Sequence, residues 1–233
     1  MGMLITAAIV FLAINFLVSG TRLRDAITGA IGERPYMGLF ALASLAAIVW
    51  LCWAYNIAQA SGNDPLLYDL GHVRVLGIII ILVAFLIGVP GLMLPNPTAV
   101  GGDALAENSV KGVITITRHP FLWGVTIWSA FHLAANGDQA SIILFGSFFV
   151  LALFGTVSID AKRKRKMGSQ WDAFAARTSN VPFAAAIARR TRIDWRGIFD
   201  WRLALALLLF AVVLFGHTWA FAASPFPNGW RPY

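Results

Sequence analysis

Charge is what this chain has least of. Only 12% of its 233 residues are Asp, Glu, Lys or Arg, about half the share usual in a soluble domain. A soluble protein of this size needs a polar surface, however large its core. With 58% hydrophobic residues and a mean hydropathy of +0.72, the natural solvent for the excess is a lipid bilayer. Cysteine is nearly absent. The single Cys52 lies in an apolar run, which excludes an intrachain disulfide and any Cys-x-x-Cys site, and reads as a small buried apolar residue. No His-Glu-x-x-His spacing occurs, which argues against zinc hydrolysis. No Lys or Arg precedes the first apolar stretch. A cleaved signal peptide would need such a basic start, so the segment reads as a retained helix.

Six apolar segments approach the roughly 20 residues needed to cross a bilayer: about 3–19, 37–58, 75–94, 119–136, 140–159 and 203–222. The expected fold is therefore an all-α polytopic bundle of about six transmembrane helices, with residues 1–233 forming one membrane domain. The fourth segment is the most polar, opening on Arg118-His119-Pro120 and carrying Ser129, His132 and Asn136. Proline suits a first helical turn, where its missing N–H costs nothing. The short Asn136-Gly137-Asp138-Gln139 link predicts a tight hairpin between the fourth and fifth helices.

The net charge of +7 would point to nucleic acid in a soluble protein, but its placement argues for a membrane instead. Loops 20–36 and 95–118 together with stretch 160–202 hold sixteen of the eighteen Lys and Arg residues, leaving only Arg74 and Arg231 elsewhere. The positive-inside rule puts that side in the cytoplasm and both termini outside. Stretch 160–202 is then a cytoplasmic basic segment. Lys162 to Lys166 is a run of five bases suited to anionic headgroups, and the Trp171 to Ala176 stretch suits an interfacial helix. Trp195, Trp201, Trp219 and Trp230 fall where aromatic belts belong. Gly146 and Gly155 are expected to form a close-packing face on the fifth helix.

Ionisable groups inside lipid tend to face the bundle interior, and two clusters result. His132 lies thirteen residues beyond His119, about 20 Å along the same helix. His217 reaches a similar depth on the last helix, and His72 precedes the third on that same outer side. His132 with His217 is the depth-matched pair that can hold a haem iron through both axial positions, with His72 as the substitute. Cross-helix hydrogen bonding is the competing role for these imidazoles. At the inner mouth, Arg118, His119, Asp160 and Asn15 can grip an anionic or zwitterionic ligand, or serve snorkelling and capping.

Two stretches carry a resemblance. One runs Arg22-Leu23-Arg24, then Gly32-Glu33-Arg34-Pro35-Tyr36 and Leu39 to Ser44. The other runs Thr117 to Gly124, then Trp128, His132, Ala135-Asn136-Gly137-Asp138 and Leu144 to Ser147. Together with Phe215-Gly216-His217-Thr218-Trp219, they resemble the NnrU family along nearly the whole chain. The resemblance implies a bacterial inner-membrane protein associated with denitrification and nitrogen-oxide metabolism.

The plant zeta-carotene isomerase shares this domain as a haem b enzyme. By that likeness His132 matches its haem-linked histidine, Ser129 stands where an alternative cysteine ligand falls, and Asn15 stands where relatives carry a first-helix histidine. A more distant similarity, to isoprenylcysteine carboxyl methyltransferases, links Arg118-His119-Pro120, Gly124, Asp160, Gly168, Trp171 and Pro182 to S-adenosylmethionine binding. Trp171 replaces the tyrosine of that pattern.

Three functions follow as expectations. The first is a haem b protein, isomerase-like or redox, with His132 and His217 on iron and His72, Arg118 and His119 as further cofactor contacts. The others are a non-enzymatic accessory factor and a membrane methyltransferase. The expected partners are membrane lipid and a hydrophobic small molecule, with no nucleic acid.

Overall fold

The computed structural model describes residues 1–18, 22–98 and 109–226. Within them the chain is helical, with a single isolated β-bridge between Leu66 and Asp138. In chain order the helices are α1 (Gly2–Ala13), α2 (Arg22–Ile31), α3 (Glu33–Ala60), α4 (Gly77–Met93), α5 (Pro120–Ala135), α6 (Gln139–Met167), α7 (Ser169–Ala176), α8 (Ala184–Ile187), α9 (Trp195–Ile198) and α10 (Trp201–Phe221). A π-helical turn, Ile14–Val18, extends α1, and 3₁₀ turns precede α4 (Gly71–Leu76) and α5 (Gly112–Thr115). Residues 227–233, with Trp230 and Arg231, lie outside the described residues.

Each of the six apolar segments contains a helix, but the count of six spans is not borne out. Four helices are long and apolar enough to cross a membrane, and a fifth span results if the bent pair Gly2–Val18 and Leu23–Ile31 is taken as one. The segment that falls short is α5. Its 16 residues rise about 24 Å at 1.5 Å per residue, against a hydrocarbon core of about 30 Å. The chain leading into it, Val113 to Thr117, is almost wholly buried. The helix is packed between α4 and α6, and that setting accommodates the Thr126, Ser129 and His132 that dilute its apolar character.

Around α5 the bundle has two halves. On one side α1, α3 and α6 share a core of Leu4, Phe11, Leu51, Leu144 and Phe145. On the other, α4 runs antiparallel to α5 along a ladder of glycines. A Cβ on Gly77 would meet the Phe131 ring, one on Gly124 would lie 2.8 Å from the Cα of Gly88 and the carbonyl of Ala84, and one on Gly91 would strike Pro120. These backbones approach closely because the glycines carry no side chain, which is how helices associate in lipid without a hydrophobic driving force. The close-packing glycines are thus on the α4–α5 seam. Gly146 and Gly155 of α6 would place a Cβ at ordinary contact distances, 4.0 Å from Leu133 and 3.7 Å from Leu122. Helix α10 lies against α4, with Phe85 and Phe210 edge to face at 5.8 Å.

The outer surfaces are apolar, as lipid exposure requires. Leu39, Leu42, Leu45, Val49 and Trp53 form an exposed stripe on α3, and Leu208, Val212, Phe215 and Trp219 form one on α10. Cys52 belongs to this exposed surface of α3 and is not a core residue.

Helix α6 continues past residue 159 as one 29-residue rod, so the basic run from Lys162 to Lys166 is its last turns. There Lys166 pairs with Glu33 at 3.8 Å, and Arg24 pairs with the same carboxylate at 2.8 Å. Helix α7 is docked on protein: Trp171 and Phe174 are buried against Ile114. An amphipathic segment has one apolar face, and the sequence does not say whether lipid or protein covers it.

Candidate functional site

The two ends of α5 hold the two clusters that the sequence singles out. At the basic end, Arg118 and His119 precede the helix, and Asp160 reaches them from α6. The Nε of Arg118 lies 2.9 and 3.0 Å from the two oxygens of Asp160, and its terminal nitrogen adds a further contact to the second oxygen. His119 is 2% exposed, with Nε2 at 2.6 Å from Oδ1 of the same carboxylate, the oxygen that also takes the Arg118 Nε. Arg118 also lies 5.6 Å from the centre of the Trp171 ring.

The backbone around this triad is equally engaged. The Arg118 N–H donates to Ser179, and its carbonyl accepts from Asn96 at 3.0 Å and Thr98 at 2.8 Å. Asn180 extends the network by accepting from Trp123 and donating to Thr156. Sequence reasoning missed Asn96, Thr98, Thr156 and Asn180, because polar residues scattered over three separate segments give no local signal. Arg118, His119 and Asp160 thus come together, as expected of residues sharing one leaflet, and they satisfy one another. Asn15 is elsewhere: it donates to Phe11 at 2.8 Å and accepts from Ser44, joining α1 to α3.

At the opposite end His132 sits among aromatic rings, with centroids at 4.9 Å to Trp128, 4.7 Å to Phe145 and 5.6 Å to Phe131. Its Nδ1 is 2.8 Å from the carbonyl of Trp128. A carbonyl only accepts, so Nδ1 carries the proton and Nε2 keeps its lone pair. His217 is built the same way. Its Nδ1 is 2.7 Å from the carbonyl of Ala223, where the last turn of α10 folds back. His217 stands on α10, which packs against α4, the helix that also faces α5. His72 stands exposed on the 3₁₀ turn before α4. Ser129 is fully buried one turn below His132 and donates to the Val125 carbonyl at 2.7 Å.

The end of α5 is held in place from above. Residues 65–74 cross over it, with Leu67 donating to Gly137, the Tyr68 hydroxyl bonding the Leu133 carbonyl, and Arg74 donating to Ala135 at 3.2 Å. Asp138 caps α6 by accepting from Ser141 at 2.8 Å, which explains the tight hairpin. Below His132, an apolar groove of about 250 Å³ follows the α4–α5 seam, between Phe85 and Val89 on one helix and Phe121, Val125 and Trp128 on the other.

Among the described residues no group of three or more His, Cys, Asp or Glu residues can hold a metal ion, so a multidentate protein metal site is not formed there. A haem iron asks for less, one or two imidazole nitrogens with the macrocycle supplying the rest. The donor set fits that requirement. Each imidazole has its Nδ1–H fixed by a backbone carbonyl, the arrangement that orients metal-bound histidines and leaves Nε2 to ligate.

Comparison with known proteins agrees with this architecture. The family described as NnrU protein matches residues 3–225. The chain is 30% identical over 82 residues to the 15-cis-zeta-carotene isomerase of Zea mays, covering 35% of this chain and 22% of that protein. It is 29% identical over 79 residues to the corresponding enzyme of Arabidopsis thaliana, covering 34% and 22%. The chain therefore spans only about a fifth of the length of these chloroplastic relatives. No solved structure matches it. The match over nearly its whole length, on a helical bundle with membrane-spanning helices, shows that the chain belongs to the NnrU family.

Proposed function

We propose that this protein is an isomerase-like membrane protein that binds haem b between α5 and α10 and acts on an apolar, conjugated small molecule. The observation that carries the reading is the pair of imidazoles, His132 and His217, each with Nδ1 committed to a carbonyl and Nε2 free. His132 is the first ligand and His217 its partner. When bound, the haem supplies a redox-active iron able to weaken a neighbouring conjugated double bond. The chain supplies the rest. Trp128, Phe131 and Phe145 keep the imidazole dry and hold its plane, and the 65–74 crossing shields it from the nearer aqueous side. The likeness to the 15-cis-zeta-carotene isomerases supports the choice of reaction class.

The basic end supports the methyltransferase reading less well. A site for S-adenosylmethionine needs free polar groups, and Arg118, His119 and Asp160 are turned on one another. We assign that cluster a structural role. The concentration of Lys and Arg at this end supports a cytoplasmic orientation for it, in the inner membrane of a bacterium, and nitrogen-oxide metabolism is the setting the family likeness implies.

The deciding experiment is an absorption spectrum of detergent-purified protein with a pyridine haemochrome assay, followed by incubation with 15-cis-zeta-carotene and chromatographic separation of the isomers. Near-stoichiometric haem and conversion of the cis isomer are expected. A protein that stays colourless after haem is added overturns the reading and leaves an accessory role for nitrogen-oxide enzymes. Orientation is read separately by labelling cysteines placed at His72 and Arg192 in a Cys52→Ser background. The first is expected to react from outside the cell and the second only after permeabilisation.

A further inference from the structure

Between α7 and α10 the chain lies at the basic end of the bundle, and it exposes two kinds of side chain. Val181, Phe183 and Ile187 are 59%, 41% and 80% exposed, and Arg177, Arg189, Arg192 and Arg196 are exposed among them. From Ala173 to Ile193 the chain has four arginines and no acidic residue. Phe183 and Arg189 flank the single turn of α8 with φ of 64° and 57°, a left-handed conformation that costs free energy in residues with side chains. The turn is nevertheless fastened to the protein. The Phe183 N–H donates to Ile116 at 2.8 Å, the Ala185 N–H to the Ser179 hydroxyl at 2.9 Å, and the Arg190 guanidinium to the carbonyls of Ala175, Ala176 and Thr178. Ala185 is fully buried, so the small residue faces protein and Ile187 is held outside. Large apolar side chains fixed outward in this way are costly to leave in water.

Depth says what covers them. Asn180, next to Val181, accepts from the Trp123 indole in the first turn of α5 at 3.3 Å and donates to Thr156 of α6 at 2.9 Å. Thr156 lies four residues before Asp160, about 6 Å into the apolar part of α6. Its neighbours Phe154 and Val157 are 56% and 60% exposed on the apolar surface of that helix. Val181 is therefore set at the edge of the membrane-spanning region. At the other end of the segment, the Phe199 ring lies 6.4 Å from that of Trp195. Two residues later Trp201 begins the exposed stripe of α10 that continues through Leu208 and Val212. Both ends of the segment thus run into surfaces that face lipid.

We infer that residues 177–199 form a docking surface for anionic phospholipid of the adjoining leaflet. Val181, Phe183 and Ile187 enter the boundary between headgroups and acyl chains, and Arg177, Arg189, Arg192 and Arg196 meet lipid phosphates. An apolar face rimmed by basic side chains is the pattern of segments that lie in the membrane interface. A basic stretch free of carboxylates attracts anionic headgroups without repelling them. The docking sets the depth of the α5 entrance, which the same segment holds through Ser179 and Asn180. It needs neither haem nor the isomerase-like reading.

The test uses the full chain with Cys52→Ser, in nanodiscs of phosphatidylcholine and phosphatidylglycerol. A bimane fluorophore is placed on Val181→Cys or Ile187→Cys, with Gln170→Cys on the exposed side of α7 as the aqueous reference and Leu208→Cys on α10 as the lipid reference. Quenching is read with either lipid class spin-labelled high on its acyl chain. At positions 181 and 187 it is expected to exceed that at 170 by about threefold, and to be about twofold stronger from the phosphatidylglycerol probe. Replacing Arg189, Arg192 and Arg196 together by glutamine should bring the two probes level at 187 and leave quenching at 208 unchanged. Two reporter positions guard against a substitution that disturbs the turn. Quenching at both as low as at 170 overturns the inference and marks the surface as one for a protein partner. Equal quenching by the two probes before the arginines are replaced overturns the assignment to anionic lipid. A colourless protein leaves the inference standing, so its failure and that of the haem reading are told apart.

Discussion

The two ends of α5 each carry a histidine, and the same residue type is used in opposite ways. His119 is buried and turned onto Asp160, which also takes the Arg118 guanidinium. Both oxygens of Asp160 are taken by Arg118 and His119, and Arg118 lies over Trp171, so the cluster locks α5 to the end of α6 and to α7. His132 has an aromatic enclosure and a backbone carbonyl as its hydrogen-bond partner. A carbonyl fixes the ring without neutralising it, and the second nitrogen remains a donor of electrons. The contrast teaches that a histidine's partner says more about its role than its burial does. Here a carboxylate with an arginine beside it makes a latch between helices, and a backbone carbonyl sets the ring of a histidine enclosed by aromatic residues.

The largest effect should come from breaking the latch. Asp160→Ala leaves Arg118 partly buried and unpaired, and removing one partner of such a pair costs about 3–5 kcal/mol. The expected result is a sharp loss of folded protein in detergent, read as thermal unfolding, and a melt unchanged from wild type would mean the triad is not structural. At the other end His132→Ala should leave the melt nearly in place while haem per chain falls by roughly 10–100-fold, the scale seen when metal-site shells are disrupted. His119→Ala should do the opposite, lowering stability with the Soret band retained. If His119→Ala instead removes the band, the assignment of the two ends is reversed.

Midway along α5, Gly124→Ala drives a methyl into Gly88 and the Ala84 carbonyl. Overpacking of this kind costs about 1–3 kcal/mol. Gly155→Ala, which meets only Leu122 at 3.7 Å, should stay within about 0.5 kcal/mol of wild type. Equal melts for the two variants would remove the glycine ladder as the cause of close packing.

A modest effect belongs to Asp194, which accepts from the backbone of Gly112 at 2.9 Å and of Gly197 at 3.0 Å and ties the loop before α5 to α9. Those two N–H groups hold its carboxyl below the usual carboxylate range. Because the folded form is the more acidic, the stabilisation is complete above the unfolded-state pKa and fades as pH falls through the folded one. Asp194→Asn should cost about 1 kcal/mol or less at neutral pH and flatten that acid-side loss in a melt-versus-pH series.

Much of this was legible in the residues because lipid imposes strong rules. Apolar runs had to become helices, since a bilayer offers no other partner for backbone N–H and C=O groups. The tight turn at 136–139, the Pro120 start of α5 and, from their shared leaflet, the grouping of Arg118, His119 and Asp160 could also be read. The span count was not, because α5 is surrounded by protein and escapes the length rule that lipid enforces. Nor were the glycines: Gly146 and Gly155 look as close-packing as Gly88 and Gly124, and only the facing helix distinguishes them. Trp171 and Phe174 read equally well against lipid or protein, and the structure buries them against Ile114.

The sequence by itself determined a helical membrane bundle, a basic end and a set of histidines at graded depths, because each depends on local composition and on distance along one helix. Only the tertiary structure decided which helices are neighbours, and so which histidine faces a carboxylate, which faces a carbonyl, and where two backbones meet over glycine. Those outcomes depend on contacts between segments far apart in the chain, where no spacing rule reaches.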